Sequence, residues 1–237
     1  MKLTKEQRRL RRRIIEISHA AGLSHLGSCL SAVDIICAVY KVKGKSERFI
    51  LSCGHAGIAL YAVLQEQGLL KARAINKLHV HPDRNHKLGI DLSTGSLGQG
   101  MPVALGMALA DRRKSVYCLI SDGECSEGSI WESLRVAFEQ KLSNLKIIVN
   151  ANGWGAYKAI SLPLLAKALR GFSYKVIDVN GHDPLRLREA LKARASGRPR
   201  LIFARTNVRQ FSFLRGQSAH YYVMKRKDYI SALKDLR

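Results

Sequence analysis

Three short runs do most to limit what this chain can fold into: SVYCLI at 115–120, LKIIVN at 145–150 and YKVIDV at 174–179. They are apolar along most of their length instead of alternating apolar with polar. Strands of that kind are buried on both faces, the habit of parallel sheets covered by helices. Two shorter runs, 48–52 and 201–204, read as further strands. Helical patterns fill the gaps, over 56–67, 101–112, 129–140, 162–170 and 184–195. Near the N-terminus Ile14, Ile17 and Ala21 recur at helical spacing, with Gly22 as the stop. Ser31, with Asp34 three residues on, reads as the start of a second helix closed by an acidic capping box. Strands alternating with helices give right-handed βαβ crossovers. The expected fold is therefore one doubly wound α/β domain over 1–237, a mostly parallel sheet with helices on both faces. A basic helix at 1–22 and a C-terminal extension at 207–237 are expected to pack together. In such folds ligands bind beyond the carboxyl ends of the strands. That directs attention to the loops after Ser52, Ile120 and Asn150.

Composition excludes several classes. Hydrophobic residues are 46% and charged residues 24%, which rules out wholesale disorder. No apolar stretch is long enough for a membrane span, and no signal-type run follows the basic N-terminus. Five cysteines without CxxC spacing argue against a disulfide framework and a structural zinc site, and for a reducing cytoplasm. The formal charge of +22 is the one anomaly, and it reads either as a solvated basic surface or as a surface for a polyanionic or acidic partner. No zinc-finger, RNP or KH signature accompanies it, so nucleic acid is not the expected partner.

Two nucleotide motifs fail on inspection. Gly44-Lys45-Ser46 resembles the end of a phosphate loop, but the leading glycine would fall on Val39. Gly95-Ser96-Leu97-Gly98-Gln99-Gly100 has its glycines in the reverse order of the dinucleotide fingerprint. A better pair is Ser121-Asp122-Gly123-Glu124 and, about thirty residues later, Asn150-Ala151-Asn152-Gly153-Trp154. A carboxylate and an amide oxygen at neighbouring strand ends are hard oxygen ligands that suit Mg²⁺ or Ca²⁺. Gly123 allows close backbone approach to a phosphate. Two ordinary polar turns would look the same at this level.

An Asp-Gly followed at this distance by an Asn resembles the thiamine diphosphate motif, and the surrounding sequence resembles the N-terminal half of a transketolase. The matching stretches are SHLGSCLSAVDIICAVY (24–40), LSCGHAGIALYAVL (51–64), HPD (81–83), STGSLGQG (93–100) and SDGECSEGSIWESLRVA (121–137). The resemblance implies that Asp122, Asn152 and the Trp154 carbonyl hold Mg²⁺, with Gly123 and His55 on the diphosphate. It implies that Gly95 and Leu97 line the thiazolium and pyrimidine region, and that Glu127 joins a carboxylate network. It places His25, His55, His81 and His220 around the reacting carbon. The implied reaction moves a two-carbon ketol unit from a ketose or its phosphate to an aldose.

The family's full-length members carry a second, pyrimidine-binding domain. The resemblance is to the N-terminal subunit of a split enzyme. It implies a separate C-terminal subunit, expected to be acidic, and a heterotetramer. Departures from the family pattern are Ser121 for the first glycine of Gly-Asp-Gly, Cys53 for a lysine, and Asn150 where an acidic residue is common. Asn207-Val208-Arg209-Gln210 replaces a Lys-Gly-Lys-Gly run that closes over the cofactor site. The alternatives are a thiamine-dependent 2-oxo acid decarboxylase or deoxyxylulose phosphate synthase-like subunit, and a non-catalytic basic binding protein.

Overall fold

A computed structural model describes residues 3–75, 77–172, 174–193 and 197–237. Five strands, β1 (Arg48–Leu51), β2 (Val116–Ser121), β3 (Leu145–Ala151), β4 (Val176–Asn180) and β5 (Arg200–Arg205), form one sheet in the order β1-β2-β3-β5-β4. Every pairing is parallel. The apolar runs of β2 and β3 explain this directly, whereas the third, in β4, lies at the edge of the sheet and is only half-buried, against the expectation of burial on both faces. Tyr117 and Leu119 face one core, while Val116, Cys118 and Ile120 face a second one across the sheet. The first core is closed by α1 (Lys5–Ala20), α2 (Leu26–Val42) and α3 (Gly57–Glu66), with a single turn α4 (Ala72–Ile75) beyond them. The second is closed by α5 (Gly100–Ala110), α6 (Gly128–Glu139) and α7 (Leu162–Gly171). Finally α8 (Pro184–Lys192) and α9 (Arg226–Asp235) return to the first face. There the His19 and Tyr229 rings meet edge-on at 4.3 Å and join α9 to α1. All five cysteines are free and buried.

Two expected boundaries need correction. Ser31 does not start a helix: α2 begins five residues earlier, at Leu26. That helix is buried on nearly every side, so it shows no amphipathic stripe to mark its start. Asp34 makes no capping box. It faces Arg11, which grips both its oxygens at 2.9 and 2.6 Å, and His182 Nδ1 at 2.8 Å. Burial acts to raise the Asp34 pKa, but the Arg11 and His182 hydrogen bonds outweigh it and hold the carboxylate below its ordinary range. The last helix expected before β5 ends at Lys192 and not at 195, and positions 194 and 195 lie outside the described residues.

This buried ion pair anchors the segment that departs from the family pattern. The Asn207 N–H donates to His182 Nε2 at 3.0 Å. Arg11 Nε donates to Gln210 Oε1 at 2.7 Å, and Gln210 in turn donates to the Leu30 carbonyl at 2.8 Å. Residues 207–210 are therefore tied to α1 and α2, and none of them lines the cavity described next.

Candidate cofactor site

At the carboxyl ends of β1, β2 and β3 lies a cavity of about 160 Å³. His25, His55, His81 and His220 all line it, with Gly95, Leu97, Gly123, Asn152 and Trp154. These residues come from separate parts of the chain. His25 stands immediately before α2 in a left-handed conformation (φ 62°), a strained backbone for a non-glycine residue. Its N–H donates to the His220 carbonyl at 2.7 Å, which binds the C-terminal segment to the start of α2. The His25 ring lies 5.6 Å from His55 and 6.0 Å from His81, and His55 lies 6.3 Å from His220, between ring centres. Burial, reinforced by His81 and His220, pushes the His25 pKa down to about 4. Burial and the other three imidazoles push His55 to about 3. Both rings are thus neutral at pH 7 and can accept a hydrogen bond. His220 is lowered by burial too. Its Nδ1 meets the Ser28 hydroxyl at 2.6 Å, while its buried Nε2 has no partner among the described residues.

The two polar loops are neighbours. The Asp122 N–H donates to the Asn150 carbonyl at 3.2 Å, and the Gly153 N–H donates to Asp122 Oδ2 at 2.5 Å. Asp122 Oδ1 accepts the Gly123 N–H at 3.0 Å. Asp122 is 1% exposed, and no Lys or Arg pairs with it among the described residues. Burial drives its pKa up to about 7 against the pull of those backbone N–H groups. Asp122 sits behind the cavity wall, which Gly123 forms. A Cβ on Gly123 would come within 3.0 Å of Gly155 Cα, so its absence lets the two loops touch.

Beneath Asn152 runs a hydrogen-bond chain that sequence reading missed. Thr206 Oγ1 donates to Asn150 Oδ1 at 2.6 Å, which turns the Asn150 amide nitrogen toward Ser31 Oγ at 2.9 Å. Ser31 also accepts from Asn152 Nδ2 at 3.4 Å and donates to the Ser28 carbonyl at 2.9 Å. The Asn152 nitrogen is thereby engaged, and its oxygen, which accepts the Trp154 N–H at 3.0 Å, keeps a second lone pair. Spacing of Ser28 and Ser31 on one helical face was the available signal.

Glu124 was missed as well. It is fully buried and accepts from the Ser52 hydroxyl at 2.6 Å and the Gly98 N–H at 2.8 Å. It therefore ties the Gly95–Gly100 loop to the ends of β1 and β2, and burial raises its pKa. Glu127 does not line the cavity: it stands at the start of α6 and packs on Gly98, whose added Cβ would meet the Glu127 Cβ at 2.8 Å.

No group of three His, Cys, Asp or Glu is arranged to hold a metal by itself among the described residues. One buried carboxylate without a cation, one oriented amide oxygen and a nearby carbonyl are what remain. That set fits a hard divalent ion completed by ligand phosphates. The parallel sheet and the polar loops at its carboxyl ends define an α/β cofactor-binding domain.

The chain belongs to the transketolase family: the model for the transketolase thiamine diphosphate binding domain matches residues 7–235. It is 35% identical to human transketolase over 84% of this chain, and spans 36% of that protein's length. It is 32% identical to the 6-deoxy-6-sulfo-D-fructose transketolase subunit SqwG of Clostridium sp., covering 83% of this chain and 82% of that one. With an apulose-4-phosphate transketolase subunit of Actinobacillus succinogenes it shares 30% identity, over 99% and 96% respectively. The fold matches a solved transketolase from Pichia stipitis with a TM-score of 0.83 at 20% identity, over 98% of this chain and 41% of that one.

Proposed function

We propose that this chain is the diphosphate-binding subunit of a two-subunit transketolase that moves a two-carbon ketol unit from a ketose or ketose phosphate to an aldose. The single observation that carries the reading is Asp122, a buried carboxylate with no cationic partner among the described residues, facing an oriented Asn152 across touching loops. Asp122, Asn152 and the Trp154 carbonyl would hold Mg²⁺, with Ca²⁺ as the alternative. Gly123 and His55 would meet the diphosphate, and Gly95 and Leu97 the rings. When bound, thiamine diphosphate supplies an electron sink for breaking and making a C–C bond. The chain's own part is to orient and to move protons. His25 and His55 are held neutral and accept hydrogen bonds from hydroxyls. His220 Nε2 is the atom that exchanges one with a bound hydroxyl, while Ser28 fixes its ring. Glu127 would lie toward the partner. The two relatives named as subunits, each matched over most of its length, support a separate pyrimidine-domain partner.

The test is calorimetric titration of Mg²⁺ and thiamine diphosphate into the two-subunit complex. Asp122→Ala should lose cofactor affinity, and unchanged affinity would sink the metal assignment. Full ketol transfer by the lone chain would refute the split-enzyme reading.

A further inference from the structure

Because every strand pairing is parallel, the amino ends of all five strands lie along one edge of the sheet. The cavity opens at the other edge, and no Lys or Arg lines it among the described residues. On the amino-end edge, basic residues stand at every strand start. Lys43 and Lys45 precede β1, which starts at Arg48. Arg112, Arg113 and Lys114 precede β2. Lys141 precedes β3, and Lys146 is its second residue. Lys175 precedes β4, and Arg198 precedes β5, which starts at Arg200.

Acidic compensation is partial. Asp111 pairs with Arg113 and Lys114, Asp91 pairs with Arg48, and Glu47, directly before Arg48, lies close enough to Lys43 and Lys146 to attract both. Lys146 and Arg200 are direct register partners on adjacent strands, a placement that destabilises like charges. Neither forms a salt bridge among the described residues. Lys146 donates to the Ser143 carbonyl at 3.1 Å, and Arg200 to the Ala190 and Ala193 carbonyls. Helix C-termini share this edge and favour a cation each. They account for one cation at each strand start and leave the second and third at β1 and β2 unexplained.

The edge also lacks an apolar anchor: among the described residues, none of the large exposed hydrophobic side chains falls in these five segments. A protein partner would want an apolar centre, and membrane insertion an apolar face. A duplex backbone asks only for cations spread along its phosphates. Neighbouring strands are about 4.8 Å apart, so the four steps across the sheet spread the charge over about 19 Å. We propose that this edge binds the phosphate backbone of double-helical nucleic acid without reading its sequence. This gives a use to part of the excess charge, none of which lines the cavity among the described residues, and it needs no recognition signature in the sequence.

Fluorescence anisotropy of a labelled short DNA duplex of arbitrary sequence, titrated with the full chain at several salt concentrations, tests it. With about six phosphates engaged, log affinity should fall with log salt at a slope of about −5, or roughly a thousandfold between 50 and 200 mM. Lys45, Lys141 and Lys175 are exposed on three different strand starts. Replacing all three by Gln should bring the slope to about −3. The Arg12→Gln/Arg13→Gln pair on α1 should leave it unchanged. If the triple variant loses its circular dichroism, Lys175→Gln alone should still change the slope by about 1. The proposal falls if the duplex does not bind at low salt, or if the α1 pair weakens binding as much as the triple variant. Tighter binding to poly-glutamate or to phosphatidylserine vesicles than to the duplex overturns it too.

Discussion

Asp122→Asn should make the ligand-free chain more stable at pH 8 and make no such gain at pH 5. Burial lifts the folded-state pKa of Asp122 from 3.8 to about 7. A raised carboxyl pKa contributes stability that is intact below the unfolded value and is lost as pH rises through the folded one. About three pKa units correspond to about 4 kcal/mol of penalty above pH 7. Asparagine removes the charge but turns one N–H₂ toward either the Gly123 or the Gly153 N–H, each of which now donates to the carboxylate. Losing that acceptor costs about 1–3 kcal/mol. The net expectation is a gain of about 1–3 kcal/mol at pH 8 that shrinks to zero or reverses near pH 5. Urea unfolding of both proteins at the two pH values measures it, with unchanged m-values as the check on cooperativity. The same samples with Mg²⁺ and thiamine diphosphate should show a raised midpoint for the native protein only, since a ligand that binds the folded state stabilises it. An equal difference between the two proteins at pH 5 and pH 8 would refute the reasoning, because it would mean that Asp122 is not held near neutrality by burial.

Ser31→Ala removes the acceptor that fixes both asparagine amides, and should lower Mg²⁺-dependent cofactor affinity by about 10- to 100-fold in calorimetry. Unaltered affinity would show that Asn152 is oriented by something else. Asp34→Ala strands the buried Arg11 guanidinium and should destabilise the fold by about 3–5 kcal/mol in urea, whereas loss of the exposed Arg186–Glu189 pair should be worth less than about 1 kcal/mol. His55, whose pKa is depressed to about 3, contributes stability that is present above about pH 6.5 and is lost as pH falls below it. His55→Gln should therefore gain on the native protein by about 2 kcal/mol between pH 7 and pH 5, and a constant gap would contradict the depressed value.

The apolar runs at 115–120 and 145–150 were enough to specify parallel strands, because a strand with no polar face has nowhere to go but between two layers of helices. From that alone the site's position at the carboxyl ends followed, and the sequence resemblance singled out four distant histidines that the cavity brings together. Local sequence failed wherever burial was complete. The start of α2 was invisible because its apolar residues face every direction, and Asp34 looked like a cap because only folding brings Arg11 and His182 to it. Glu124 looks like an ordinary loop carboxylate in the sequence, since its partners Ser52 and Gly98 are both remote in the chain. The same holds for charge. Composition gives +22, and the sequence itself shows part of where it gathers, with seven Lys or Arg among the first thirteen residues. Only the parallel topology, by putting every strand start on one side, brings the basic residues of those five segments together on the edge opposite the cavity. Periodic burial is a local property that a sequence carries residue by residue. Partners for buried polar groups, and the side on which charge gathers, are set by chain reversals that bring distant segments together.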